Sequence, residues 1–91
     1  MTSCQEFADM HEFGIAQSIL AAVRKEASKY PGSRPVKVGV RIGPMAGVDG
    51  ESLSFCFQAA SEMEGEAGLL LELEQGSADE LDLRYVELEE P

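Results

Sequence analysis

The sequence predicts an α+β fold, a two-layer sandwich in which two helices lie on one face of a small three-stranded mixed sheet. Two stretches repeat apolar residues at steps of three or four, as amphipathic helices do. Three stretches alternate apolar and other residues, as half-buried strands do. The order is α-β-α-β-β, and a chain of 91 residues predicts one such domain.

The first helix is predicted to start after Asp9. Asp9 and Glu12, three positions apart, resemble a capping box, in which side chains satisfy the free N–H groups at a helix start. Pro31 and Gly32 end the helix. Its predicted apolar face consists of Ile15, Ala16, Ile19, Leu20, Val23, Ala27 and Tyr30.

The first strand and the second helix follow. In the stretch PVKVGVRIG (35–43), four β-branched residues alternate with Lys37, Gly39 and Arg41. A glycine-rich loop, GPMAGVDG, leads to Asp49, which is predicted to cap the second helix. The predicted apolar stripe of that helix consists of Leu53, Cys56, Phe57, Ala60 and Met63.

Two further strands are predicted on either side of the polar turn QGSADE (75–80). Alternation over 69–74 indicates the second strand. The third starts at Leu81, and its apolar phase shifts after Tyr85 to Val86 and Leu88. A phase shift within a strand indicates a bulge or a late change of face.

The topology follows from these connections. The first β-α-β unit predicts parallel strands joined by a right-handed crossover. The turn 75–80 is short enough for a hairpin, which would pair strand three antiparallel to strand two. On the face away from the helices, Lys37 and Arg41 would lie beside acidic residues and Arg84 and pair across strands, the acids being Glu72, Glu74 and Asp82.

Charge and cysteine content exclude several classes of function. A net charge of −10 disfavours binding to nucleic acid or to an anionic membrane, because both require a basic surface. Cys4 and Cys56 are too few for a four-cysteine zinc site and too far apart for a CxxC redox motif. The start of the chain lacks the basic and apolar regions of a secretory signal, so we expect a cytoplasmic protein.

No catalytic motif is present in the sequence. The single histidine, His11, is the natural general base, yet no signature pairs it with a nucleophile. The loop GPMAG lacks the Lys-Ser/Thr pair of a phosphate-binding loop. We therefore predict that the protein is not an enzyme.

His11 is the candidate metal ligand. At a helix start the positive end of the helix dipole disfavours the protonated imidazole, and a metal requires the neutral form. Imidazole together with amine or deprotonated backbone nitrogens suits nickel in square-planar geometry. A lone surface histidine with no ligand role is the alternative.

The combination of MHEFGIAQSIL (10–20), VKVGVRIGPMAGVDGESLSFCF (36–57), EGEAGLLLELE (64–74) and ELDLRYVELEE (80–90) resembles the HypA/HybF family. The family's members are nickel metallochaperones that serve [NiFe]-hydrogenase and, in some bacteria, urease. The resemblance covers residues 10–90, nearly the whole chain.

This resemblance implies a nickel site at Met10, His11 and Glu12, with His11 as the principal ligand. In the family the N-terminal amine, the backbone and imidazole nitrogens of the histidine, and the glutamate supply the ligands. The implied partners are a nickel-delivery GTPase and the hydrogenase large subunit. Family members occur as monomers or dimers, so the resemblance is compatible with a homodimer.

The chain departs from the family pattern between the second and third strands. There the family inserts a zinc module with two CxxC pairs, whereas here only the turn 75–80 joins the strands. We therefore expect no structural zinc, and a buried structural role for the Cys56 thiol. Residues 10–91 would form the HypA-like nickel-binding domain alone.

The second departure is that Met10 follows other residues, which we interpret as a flexible leader over 1–9. The Met10 nitrogen is then an amide rather than the amine that the family uses. Either translation truly starts at Met10, or the leader is removed, or the leader is retained and the site is altered. In the last case Cys4 could serve as a soft ligand beside His11.

The predicted function is that of a HypA-like nickel-binding accessory protein for maturation of a nickel enzyme such as [NiFe]-hydrogenase. The alternative is a metal-free interaction or dimerisation module that kept the fold, with an exposed sheet edge that pairs with a partner or a second copy.

Overall fold

The computed structural model describes the backbone of residues 4–90 and the side chains of residues 12–90. The predicted order α-β-α-β-β is confirmed, and so is the α+β fold. The elements are helix α1 (Cys4–Ala27), strand β1 (Arg34–Ile42), helix α2 (Gly50–Met63), strand β2 (Leu70–Gln75) and strand β3 (Leu81–Glu89).

Helix α1 starts five residues before Asp9, so the prediction that Asp9 caps this helix is wrong. Residues 4–9 contain no glycine or proline, and adding residues to a helix that already exists costs little because nucleation is the expensive step. At the other end the helix stops at Ala27, and Tyr30, predicted on its apolar face, is 53% exposed. Whether residues 1–9 form a separable leader stays a prediction.

The sheet has the strand order β2-β1-β3. Strands β1 and β2 are parallel, as predicted for a β-α-β unit. The predicted hairpin between the last two strands is wrong, because β3 pairs antiparallel with β1. Neighbouring strands lie about 4.8 Å apart, so the connection must span roughly 10 Å. Residues 76–80 can reach about 16 Å when extended, and they cross the end of β1.

Of the two alternatives predicted for β3, a bulge or a late change of face, the bulge is confirmed. Gly39 pairs with Tyr85 and the next residue, Val40, pairs with Leu83, so Arg84 is the extra residue. Leu83 and Val86 therefore both lie on the helix side of the sheet. Without the bulge, residues three positions apart would lie on opposite sides. On the other side the Tyr85 ring lies against Gly39, where a Cβ atom would overlap it.

The core lies between the sheet and the two helices, which also pack against each other. On α2, the predicted stripe is confirmed at Leu53, Phe57 and Ala60, but Met63 is 75% exposed and Ser61 is buried instead. Positions 53, 57, 60 and 61 follow the i, i+4, i+7, i+8 spacing of one helical face. The fully or nearly buried apolar residues are Ala16, Leu20, Val23, Val38, Val40, Leu53, Phe57, Ala60 and Leu69.

Ion pairs cross the outer face of the sheet, as predicted for Arg41, Glu74 and Arg84. The Nη2 atom of Arg41 lies 3.4 Å from Oε1 of Glu74 on β2. The Nε atom of Arg84 on β3 lies 3.9 Å from the same oxygen. These groups are a third or more exposed, so each pair contributes at most about 1 kcal/mol.

Candidate metal site

Met10, His11 and Glu12 are consecutive residues of helix α1. The side chains of Met10 and His11 lie outside the described residues, and Glu12 is the first side chain that the structure describes. Successive side chains on a helix point about 100° apart. Three neighbouring side chains of an intact helix therefore do not converge on one ion.

The helical backbone also constrains nitrogen ligands. In an α-helix each N–H beyond the first four is bonded to the carbonyl four residues earlier. Since α1 starts at Cys4, residues 10–12 lie beyond its first turn. A site that uses the backbone nitrogens of Met10 or His11 therefore requires the start of α1 to open, or to begin at Met10.

The Glu12 carboxylate connects the two helices. The residue is 7% exposed, and its Oε2 atom accepts a hydrogen bond of 2.8 Å from the backbone N–H of Asp49. Asp49 is the N-cap residue of α2, so the carboxylate lies at the positive end of the dipole of that helix. Glu12 therefore has a definite partner 37 residues away in the chain.

Asp49 is the residue of this region that the sequence prediction left out of the site. Its backbone is extended (φ −85°, ψ 117°), as expected of an N-cap, but its side chain does not cap the backbone of α2. Instead its Oδ2 atom accepts a 2.9 Å hydrogen bond from the Ser52 hydroxyl. The order of the elements could have predicted that Glu12 and Asp49 lie close together. Helix α1 ends near the start of β1, and α2 begins just after the end of β1. The starts of both helices thus lie at one end of the sheet.

The loop that leads to Asp49 is held by the connection between β2 and β3. The Gly43 N–H donates to the Glu80 carbonyl at 2.9 Å, and the Met45 N–H donates to the Ala78 carbonyl at 2.7 Å. Gly43 must be glycine here, since an added Cβ would lie 2.8 Å from the Ala78 carbonyl carbon and nearer still to two carbonyl oxygens. The connection 76–80 therefore fixes the path of the chain into α2.

Within residues 12–90, no group of three or more His, Cys, Asp or Glu side chains is arranged to hold a metal ion. Cys56 is half-buried on α2, and the side chain of Cys4 lies outside this part of the chain. No helix within the described backbone is long and apolar enough to cross a membrane.

Comparison with known proteins gives a family match. The model of the family described as hydrogenase/urease nickel incorporation, metallochaperone, HypA matches residues 10–80, so the match begins at Met10. No solved structure matches this chain.

Curated relatives carry the same family name. Hydrogenase maturation factor HypA of Pelodictyon phaeoclathratiforme is 42% identical over 66 residues, covering 72% of this chain and 56% of the relative. The factor of the same name from Azotobacter chroococcum is 38% identical over 64 residues, covering 70% and 57%. That of Chlorobium limicola is 41% identical over 69 residues, covering 76% and 60%. This chain thus spans little more than half the length of the relatives it matches.

Proposed function

Because the chain belongs to the HypA family of nickel-incorporation metallochaperones, we propose that it binds nickel as cargo and passes it to a nickel enzyme such as [NiFe]-hydrogenase. The observation that carries the proposal is the family match, which starts at the Met-His-Glu triplet. It is an accessory protein without catalytic activity and acts in the cytoplasm. Its partners are a nickel-delivery GTPase and the large subunit of the hydrogenase.

His11 is the principal nickel ligand in this proposal. Its imidazole and the nitrogens of Met10 and His11 form a set that suits nickel in square-planar geometry. The Glu12–Asp49 contact supports the location, because it brings this part of α1 against Asp49 at the start of α2. Negative charge at this end of the domain favours a divalent cation.

The start of α1 determines how tightly nickel binds. With Met10 as the first residue, its backbone nitrogen would be a free amine, and the N–H groups of residues 11–13 would be among those that a helix leaves unbonded. With residues 4–9 in the helix, nickel binding must break helical hydrogen bonds, so the longer chain binds more weakly.

Zinc has no part in the proposal. The family's zinc module lies between strands that correspond to β2 and β3, and here residues 76–80 make that connection. We therefore propose that these 91 residues handle nickel without a structural zinc.

Isothermal titration with nickel tests the proposal on three chains: residues 1–91, residues 10–91 with a free amine, and residues 1–91 with His11→Ala. We expect tighter binding by 10–91 than by 1–91, and no measurable binding by the His11→Ala variant. Equal binding by all three chains would rule out the site.

A second candidate function, a metal-free interaction or dimerisation module, is favoured by one surface. Strand β3 is at an edge of the sheet, and Leu81 and Leu83 are 39% and 42% exposed beside a groove along α1. A second copy of the chain that adds its own strand to this edge would cover both leucines. Light scattering with and without nickel distinguishes the two functions, because a dimer that forms equally in both conditions favours the second.

A further inference from the structure

Glu12 is the one charged residue that is buried among residues 12–90. Burial of a carboxylate is costly unless hydrogen bonds replace the lost water. The bond from the Asp49 N–H provides such a replacement, and at 2.8 Å to an ionised acceptor it belongs to the stronger class of hydrogen bond. The environment of Glu12 is thus that of a carboxylate with a structural partner.

The contact between Glu12 and the Asp49 N–H replaces a capping interaction that a helix normally makes within its own first turn. In a capping box, a glutamate at the third helical position bonds the N–H of its own N-cap residue. In α2 that third position is Ser52, whose hydroxyl donates to the Asp49 side chain and leaves the Asp49 N–H to another acceptor. Glu12 supplies this acceptor from α1, so it completes the cap of α2 from a different helix.

This arrangement bears on the nickel site through chain connectivity. His11 immediately precedes Glu12, so the bond to Asp49 limits how far the His11 backbone can move from the start of α2. If the whole Glu12 carboxylate turned away towards an ion, this bond would break and the N-cap of α2 would lose its acceptor. Only the second oxygen, Oε1, could meet an ion without loss of this contact.

We propose that Glu12 is a positioning residue: its carboxylate holds the His11 segment against the start of α2 and does not itself ligate nickel. This inference rests on the proposed function and replaces the side-chain role that the family resemblance implies for Glu12. The ligands are then the imidazole of His11 and nitrogens of the chain.

Two substitutions in the 91-residue chain separate the roles. Glu12→Ala removes the acceptor. Glu12→Gln keeps a side-chain oxygen that can accept from the Asp49 N–H, but this neutral amide is a much poorer metal ligand than a carboxylate. Glu51→Gln is the matched control, because Glu51 lies in the first turn of α2 and is exposed. It removes one negative charge from the same helix end and leaves the contact intact.

Two measurements are made on each variant. The Asp49 amide resonance and its hydrogen exchange, recorded without metal, report on the contact. Nickel titration reports on the site. For Glu12→Ala we expect a shifted, faster-exchanging Asp49 amide and nickel affinity lower by about 10- to 100-fold, the usual effect of removing a group that orients a ligand. For Glu12→Gln we expect an Asp49 amide close to that of the parent and affinity within about threefold, since a neutral oxygen accepts the bond less strongly. Glu51→Gln should match the parent in both measurements.

Several outcomes would overturn the inference. If Glu12→Gln lost nickel as completely as Glu12→Ala while its Asp49 amide stayed in place, Glu12 would be a ligand. If Glu12→Ala bound nickel as tightly as the parent, the Glu12 side chain would not position the His11 segment for nickel binding. Should Glu12→Ala fail to fold, Glu12→Gln decides alone, because the two roles predict opposite affinities for it. A parent chain that binds no nickel would remove the proposed function as well, whereas the other outcomes leave that function standing.

Discussion

The contact between Gly39 and Tyr85 yields a stability prediction that tests the strand order. A Cβ on Gly39 would lie 2.7 Å from the Cδ2 atom of the Tyr85 ring, and two other ring carbons would be nearer still. Ordinary carbon–carbon contacts are about 3.5–4.0 Å, so in Gly39→Ala the ring must withdraw by more than about 1 Å to relieve the nearest of these contacts. Overpacking of this kind costs about 1–3 kcal/mol. Alanine regains about 0.5–1 kcal/mol in a strand through the unfolded state, so we expect a net loss of roughly 1–2 kcal/mol.

The assay is urea denaturation of a double-mutant cycle. In the Tyr85→Ala background the ring is absent, so Gly39→Ala should be neutral or stabilising by up to about 1 kcal/mol. The coupling between the two positions is then roughly 1–3 kcal/mol, which residues that do not touch would not show. An equal cost of Gly39→Ala in both backgrounds would refute the contact, and with it the pairing of β3 beside β1 in this register.

Three further predictions concern the core, the loop before α2 and the outer face. Phe57→Ala should cost about 3–5 kcal/mol in urea denaturation because Phe57 is fully buried, whereas Phe55→Ala, at a site that is 74% exposed, should stay within about 0.5 kcal/mol. Gly43→Ala should push the loop away from Ala78 and speed hydrogen exchange over 43–49, while an unchanged exchange pattern would show that this loop is not held there. Arg41→Ala should cost at most about 1 kcal/mol, and the loss should shrink in high salt; a loss that salt does not change would mean that packing rather than charge is at work.

The kinds and order of the elements were predictable because each leaves a local period in the sequence. The spacing of Leu53, Phe57 and Ala60 identifies a helix, and the phase shift after Tyr85 identifies the bulge. Strand order leaves no such local trace. A short turn before Leu81 suits a hairpin as well as a step across β1, and the two are distinguished by the pairing of β3 with β1 in the folded chain. The start of α1 was predicted wrongly because Asp9 favours an N-cap, whereas in the structure it lies inside the helix, a position that aspartate tolerates at a small cost.

The candidate site was predictable in part. The resemblance located the triplet at 10–12, and the family match begins at the same position. The bond between Glu12 and Asp49 joins residues 37 apart, and periodicity carries no information on contacts between particular atoms at that separation. The sequence therefore predicted both residues as helix-capping groups, and the three-dimensional arrangement shows that Glu12 provides for α2 the acceptor it was expected to provide for α1.

Nickel binding at His11, beside the start of α2, can be followed residue by residue. The experiment is a titration of the 91-residue chain with nickel, monitored through its amide resonances. We expect changes to concentrate at residues 9–14 and 47–52, to saturate at one equivalent of nickel, and to be abolished by His11→Ala. Changes spread over the acidic surface, or an unaltered response in His11→Ala, would contradict nickel binding at this site.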